Sequence, residues 1–394
     1  MTEPEGMSAA ERLAGELIRD GYLVPDWLAA WRSVDREAYI PARVWVPEHD
    51  GYRRLDRGDD PRRWRESVYT DIHLVTQVAE GPEAAWALQP TSSASMPRMV
   101  AGMLAALQVR PGHRVLEIGT GVGITAALLA ARLGDGAVAS VELDPHVAAG
   151  ARAALESAGL RPHLYVGDGT LGAAELAPYD RLLSTCAVRS IPPAWLEQTR
   201  PGGRIVTPYG TTLYNGVLLD LAVTGDADGS AASGRVIGDA AFMWERGQGL
   251  SPRVMAAVGD EEPDSERTVD WDPRLLVDNP DAAFAAGLML PGVRRSLGTP
   301  DAPDASTGTF TVWLVAADDR SWACVDCVPG AATYEAAAFG PRDLLHEAGA
   351  ALAWWLEAGA PARTRFGVEV RPTGQYVWLD HPGKPLLAAP ADHG

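Results

Sequence analysis

Basic excess, cysteine and long apolar runs are what this chain has least of. Lysine and arginine number 34 against 52 acidic residues, for a net charge of −18. No cationic surplus is available to displace counterions from a polyanion, which argues against general nucleic-acid binding. The acidity speaks mainly to solubility. Three cysteines in 394 residues make no disulfide framework, and a reducing, cytoplasmic setting is the expectation. No apolar run approaches the roughly 18 residues of a membrane span. The opening MTEPEGMSAAERLAGELIRDG is charged and has no apolar core of the kind a signal peptide needs. There is no internal repeat.

What is present is length for two or three domains and 46% apolar residues to fill their cores. The densest signal is RVLEIGTGVG, residues 114–123. A short apolar run leads into Gly119, Thr120, Gly121 and Gly123. The helical stretch ITAALLAARLG follows, and then AVASVELD, which ends in Glu142 and Leu143. This reads as strand, glycine turn, helix, strand, with an acid at the tip of the second strand. Glycines there let the backbone turn tightly and approach a ligand, and an acid about 20 positions on accepts hydrogen bonds from ribose hydroxyls. Glu117 stands directly before the loop. A pyrophosphate held at a helix N-terminus has no use for an acid there, whereas the sulfonium and ammonium of S-adenosylmethionine do. The loop therefore reads as an S-adenosylmethionine site.

Around it the pattern fixes a fold class. Apolar strands alternate with helices through 145–158, HLYVGD, RLLSTCAV, PPAWLEQT and PGGRIVTPYG, the signature of a parallel sheet covered on both faces. The expectation is an α/β, Rossmann-like sheet closed by a hairpin (LYNGVLLDLAV and RVIGDAAFMWE) and followed by a small α+β module. The expected division is an N-terminal helical, substrate-side segment over 1–80, a cofactor-binding core over 81–245, an irregular linker over 246–308, and the C-terminal module over 309–394. Helices are expected over 8–21, with Ser8 and Glu11 as a capping box, and over 26–36, capped by Asp26. Residues 48–67 read as a polar loop. Its six arginines are either solvated or form a basic edge for an acidic peptide. YTDIHLVTQ reads as extended and TSSAS as a loop. Pro97 opens a helix, leaving Ser93 or Ser95 as a simple N-cap or as a site residue. Asp168-Gly169 is either a turn cap or an adenine-binding pair. Cys324-x-x-Cys327 lacks the second ligand pair a zinc site needs and reads as core, and Cys186 as a buried strand residue. No metal site is expected.

VLEIGTGVGITAALLAARLG, VELD, GDGTLG, APYDRLL, IPPAWLEQTRPGGRIVTPYG and the preceding TSSASMP together resemble the protein-L-isoaspartate O-methyltransferase family over residues 90–220. REAYIP and YTDIHLVTQ are a looser match. The resemblance implies transfer of a methyl group from S-adenosylmethionine to a carboxylate, leaving S-adenosylhomocysteine. It places Ser95, with Ser93, beside the methyl acceptor. Glu117, Gly119, Gly121 and Gly123 fall in its cofactor loop, Glu142 at its ribose acid, and Asp168 with Gly169 in its adenine pocket. The chain departs from the family's repair enzymes at Ile124, where an aromatic is usual, in lacking the glycine-glutamine lead-in before Ser93, and in the roughly 170 residues that follow residue 220. QPTSSASMP, AWWLEAG and GQYVWLDHP resemble a longer subgroup that matures ribosomally made peptides such as lanthipeptides and graspetides. That likeness implies methylation of an aspartate side chain in a modified, cyclised peptide, the ester then collapsing to an aspartimide. Isoaspartate repair in damaged proteins and small-molecule methylation are the rival readings.

Overall fold

The computed structural model describes residues 7–49, 51–79, 89–226, 229–249, 258, 262–298, 308–383 and 385–388. The chain forms two compact units, and it passes between them more than once. The first holds residues 1–186, 192–207 and 220–232, and the second 187–191, 208–219 and 233–394.

The first unit opens with α1 (Ala9–Arg19). The Ser8 hydroxyl accepts from the Glu11 amide and the Glu11 carboxylate accepts from the Ser8 amide, the expected capping box. Residues 25–27 form a 3-10 turn and α2 covers Leu28–Ser33; Asp26 caps neither. Val24 stands at the cap position and Pro25 begins the turn, since proline fits a first helical position without needing an amide partner. The expected polar loop over 48–67 is instead ordered. β1 (Arg43–Glu48) and β2 (Gly51–Asp56) form a hairpin, and α3 (Pro61–Val68) follows. Asp60 caps α3, and Trp64 and Val68, four apart, are fully buried. Two apolar side chains on one face hold an otherwise charged helix in place. β3 (Leu74–Val78) starts later than expected, and TSSAS is strand rather than loop, as part of β4 (Pro90–Ala94). These four strands run in the order β2-β1-β3-β4.

Next come α4 (Pro97–Leu107), β5 (Val115–Ile118), α5 (Ile124–Leu133), β6 (Val138–Glu142), α6 (Pro145–Ser157), β7 (His163–Val166), β8 (Tyr179–Ser184), α7 (Pro193–Glu197) and β9 (Thr199–Gly210). β9-β8-β5-β6-β7 pair in parallel in that order. β5 lies at the centre, with β6 on one side and β8 on the other. That is the point where strand order reverses and where such sheets bind ligands at the carboxyl ends of their strands. Leu104, Leu107, Val115, Leu116, Leu129 and Val138 are fully buried and join α4 and α5 to the sheet. β10 (Asn215–Asp226) and β11 (Gly229–Asp239) form the expected closing hairpin beside β9.

The second unit corrects the expected linker. β12 (Ser265–Val269), α8 (Pro280–Met289) and β13 (Val293–Gly298) lie within 246–308. With β14 (Phe310–Ala316), β15 (Trp322–Cys327) and β16 (Tyr334–Phe339) they build a five-stranded sheet, order β12-β16-β15-β14-β13. The supposed linker thus supplies both edge strands. Their charged residues hid them, since edge strands tolerate charge that central strands do not. α9 (Leu344–Glu357) follows, capped by Asp343. β17 (Phe366–Arg371), β18 (Gly374–Leu379) and β19 (Pro385–Ala388) were expected in the same module. They instead pair beside β11 in the order β19-β18-β17-β11.

Candidate active site

The glycine turn follows β5 and enters α5. Gly119, Gly121 and Gly123 have φ of +88°, +54° and +90°, the left-handed region that side chains resist. A Cβ on Gly119 would lie 2.5 Å from Thr185 Oγ1 and 2.9 Å from Cys186 Sγ. Thr185 fastens this point: its hydroxyl donates to the carbonyls of Gly119 (2.6 Å) and Ile118 (3.1 Å). Cys186 is only half-buried, just past β8, and not the buried strand residue expected.

Glu117 sits opposite Ser140 across the β5–β6 pair and has no exposed surface. The Ser140 hydroxyl donates to Glu117 Oε2 at 2.5 Å and lies 2.6 Å from the buried Thr120 hydroxyl. Oε1 of Glu117 has no partner among the described residues. Burial pushes the Glu117 carboxyl up to about 8; the Ser140 hydrogen bond opposes this and the nearby Glu142 adds to it. Without a cation beside it, Glu117 is therefore largely protonated at neutral pH. Its setting at the centre of a parallel sheet removes Glu117 from water.

Glu142 bonds the loop itself. Its Oε2 accepts from the Gly121 amide at 2.9 Å and its Oε1 from the Asp144 amide at 3.1 Å. Leu143, beside it, is 40% exposed. Asp168 caps a short turn, accepting from the Thr170 amide (2.8 Å) and hydroxyl (2.7 Å), so the cap is the contact present. Gly169 packs closely: a Cβ would meet Ile118 at 2.5 Å, and its carbonyl accepts from the Trp195 indole. These residues fit S-adenosylmethionine: a cradle without Cβ atoms, an orphaned carboxyl oxygen for a cation, and an acid at the second strand's tip.

Ser93 and Ser95 lie on the other wall. Ser93 is on β4, and its carbonyl is 3.5 Å from where a Gly121 Cβ would stand. Neither serine caps α4; Met96 holds that position and no side chain caps the helix. No described residue hydrogen-bonds to the Ser95 hydroxyl, and its carbonyl accepts from Arg36. The simple N-cap reading is therefore corrected.

Sequence reasoning missed Ser140, Thr185 and Arg36. Ser140 had a signal, a lone polar residue in the apolar run AVASVE. Thr185 and Arg36 had none, because they reach the site through strand order and chain packing. The six arginines at 48–67 each pair with a carboxylate, as in Arg53–Glu48, Arg54–Asp56, Arg57–Glu37, Arg62–Glu66, Arg63–Glu48 and Arg65–Glu37. That leaves no bare basic edge. Cys324 and Cys327 are unpaired, and no group of metal-ligating side chains occurs among the described residues.

The family described as protein-L-isoaspartate(D-aspartate) O-methyltransferase matches residues 51–230. The chain is 51% identical over 118 residues to a protein-L-isoaspartate O-methyltransferase of Anaeromyxobacter dehalogenans, spanning 29% of this chain and 56% of that one, little more than half the relative's length. It is 45% identical over 205 residues to the enzyme of that name from Methanopyrus kandleri, spanning 51% of this chain and 77% of that one. A solved structure of the same name, 20% identical, covers 94% of this chain and 100% of its own with a TM-score of 0.52, a likeness of fold alone. With three-quarters of the Methanopyrus kandleri sequence matched at 45% identity, this chain is a member of the protein-L-isoaspartate O-methyltransferase family.

Proposed function

We propose that the chain is an S-adenosylmethionine-dependent carboxyl O-methyltransferase acting on an aspartate-derived carboxylate in a peptide. The observation that carries this is the Glu117 Oε1 orphan behind a cradle of three left-handed glycines. Bound S-adenosylmethionine supplies an electrophilic methyl group. The acceptor carboxylate is already nucleophilic at neutral pH, so the protein's work is alignment and exclusion of water. Gly119 and Gly121 bring the backbone against the ligand. Glu117 and Glu142 favour its positive and hydroxyl-bearing ends, Asp168 and Gly169 close the adenine side, and the Ser95 hydroxyl orients the acceptor, with Ser93 behind it. Ser95→Ala should lower turnover about tenfold, on the scale of one hydrogen bond, and leave cofactor affinity unchanged. Unaltered turnover would remove Ser95 from the site.

For the acceptor, the leading reading is an aspartate of a modified, cyclised peptide. Its methyl ester is attacked by the following backbone nitrogen, methanol leaves, and an aspartimide remains. Ile124 and the altered segment before Ser93 support this; part of that segment lies outside the described residues. Isoaspartate repair is the second reading, favoured by the names of the relatives. Length no longer separates the two, since a solved structure of that name matches most of this chain. Labelled S-adenosylmethionine, offered with a generic isoaspartyl peptide and with the cyclised product of any peptide-maturation genes found beside this one, discriminates them by mass spectrometry. Methylation followed by net loss of water on the constrained peptide alone supports the first reading. Turnover of the generic peptide supports repair.

A further inference from the structure

Arg36 is 8% exposed, yet no carboxylate of the described residues pairs with it. Its Nε donates to the Val68 carbonyl at 3.0 Å and one terminal nitrogen to the Ser95 carbonyl at 3.1 Å. The acids nearby are engaged elsewhere. Asp71 accepts from the Arg98 amide and guanidinium. Asp35 accepts from the Tyr69 hydroxyl at 2.6 Å and the Glu37 amide at 3.1 Å. Burial pulls the Arg36 guanidinium down to about 10, with Asp71 opposing, so it remains a cation at neutral pH. Burying a charge without a counter-ion is costly, and carbonyl dipoles return only part of that cost. Arg36 also lines a cleft of about 940 Å³ with Glu11, Trp31, Arg32, Asp35, Tyr69 and Ile124, and Glu11 is held by the Ser8 amide in the α1 capping box. Ile124 is the residue after Gly123, so the cleft reaches the end of the glycine turn.

We infer that Arg36 is the specificity residue of this site, anchoring a carboxylate of the incoming peptide in the cleft beside Ser95 and Ile124. The inference rests on the carboxyl-methyltransferase reading and says how the acceptor is chosen. In the transfer an oxygen lone pair of the carboxylate forms the bond to the methyl carbon while the carbon–sulfur bond breaks and its pair goes to sulfur. The acceptor thereby turns from an anion into a neutral ester. A cation that holds the acid loses its partner in the product, so Arg36 binds substrate and lets the ester go. Because this attraction is strongest in the ground state, its loss appears in KM more than in kcat.

The test uses the full chain loaded with S-adenosylhomocysteine, whose binding is measured first by calorimetry. Absence of that binding would overturn the methyltransferase reading and this inference with it; once binding is established, the peptide titrations test Arg36 alone. A short isoaspartyl peptide, an aspartyl peptide and their methyl esters are then titrated. Wild type should bind an acid form roughly tenfold to a hundredfold more tightly than its ester, the range of a charged hydrogen-bond pair. Arg36→Met should bring acid and ester within about twofold while S-adenosylhomocysteine affinity holds. Arg36→Lys, which keeps the charge but not the planar fork, should fall between. Wild type that does not prefer the acid, or binds neither acid peptide, overturns the proposal. So does Arg36→Met that discriminates as wild type does. Should Arg36→Met not fold, full wild-type discrimination in Arg36→Lys decides against it.

Discussion

Two sheets of this molecule bury polar groups in opposite ways. At the parallel strands of the first unit, Thr120, Ser140 and Glu117 form a hydrogen-bonded row that ends on a carboxyl oxygen with no partner among the described residues. In the five-stranded sheet of the second unit, the buried Thr311 hydroxyl donates to Asp326, its direct cross-strand partner, at 2.7 Å. On that sheet Trp322 stacks on Phe339 at 5.9 Å and tilts against Trp313 at 5.6 Å, with Val315, Cys324 and Ala337 packed in the same cluster. Among the described residues the second unit has orphaned atoms too, including the indole N–H groups of Trp322 and Trp378, Asn215 Oδ1 and one terminal nitrogen of Arg295. A neutral indole costs little to bury, whereas a buried carboxyl holds its proton until a cation arrives beside it. An orphaned acid at the carboxyl end of a central parallel strand marks a site, whereas an orphaned indole among aromatics marks packing.

The contrast can be broken or sharpened by substitution, and the largest effect expected is on Glu117. Its carboxyl rises from an ordinary 4.5 to about 8 in the fold. Between those values the folded state keeps a proton that the unfolded chain has released. Stability therefore falls as pH rises through that window, by up to about 5 kcal/mol in all. Glu117→Gln, neutral throughout, should flatten the fall. Urea denaturation of the cofactor-free protein at either end of the window checks this, and identical pH dependence would mean the buried carboxyl is ionised. Next comes Trp322→Ala in the second unit, 5% exposed in the wild type. It should cost about 3–4 kcal/mol of stability but leave the folded fraction's affinity for S-adenosylmethionine unchanged; a matching loss of affinity would place the site's support in the second unit.

Gly119→Ala reverses that pattern. Its Cβ would press on Thr185 and Cys186 at a φ of +88°, and about 2–3 kcal/mol of cofactor affinity should go. Calorimetric affinity equal to wild type would show that the turn relaxes without consequence for the ligand. The smallest effect expected is for Glu142→Ala. It removes the acceptors of the Gly121 and Asp144 amides and should weaken cofactor binding by about 1–2 kcal/mol. An unaltered dissociation constant would remove Glu142 from the ribose role.

Legibility followed the range of the interactions. The glycine turn, the α1 capping box and the alternation of strands with helices are local or periodic, and the fold bears them out. The hairpin and helix at 43–68 escaped notice because their apolar residues are few and their arginines many. Arg57 and Arg65 pair with Glu37, which arrives from outside the stretch, while Arg54 and Arg62 pair with the nearby Asp56 and Glu66. Ser95 looked like a cap because it stands two residues before Pro97, at the start of an apolar helical stretch. The structure gives its carbonyl to Arg36, 59 residues away.

The sequence by itself determined the parallel sheet, the placing of three glycines where a backbone must turn left-handed, and the acid that stands before them, because each follows from periodicity or from one residue's allowed dihedrals. Tertiary structure alone decided that Glu117 is sealed from water and bonded to Ser140. It alone decided that Arg36 is buried with no carboxylate partner among the described residues, and that residues 265–298 contribute two edge strands to a sheet. Those outcomes depend on which strands become neighbours and which groups are desolvated together, and no local pattern encodes either.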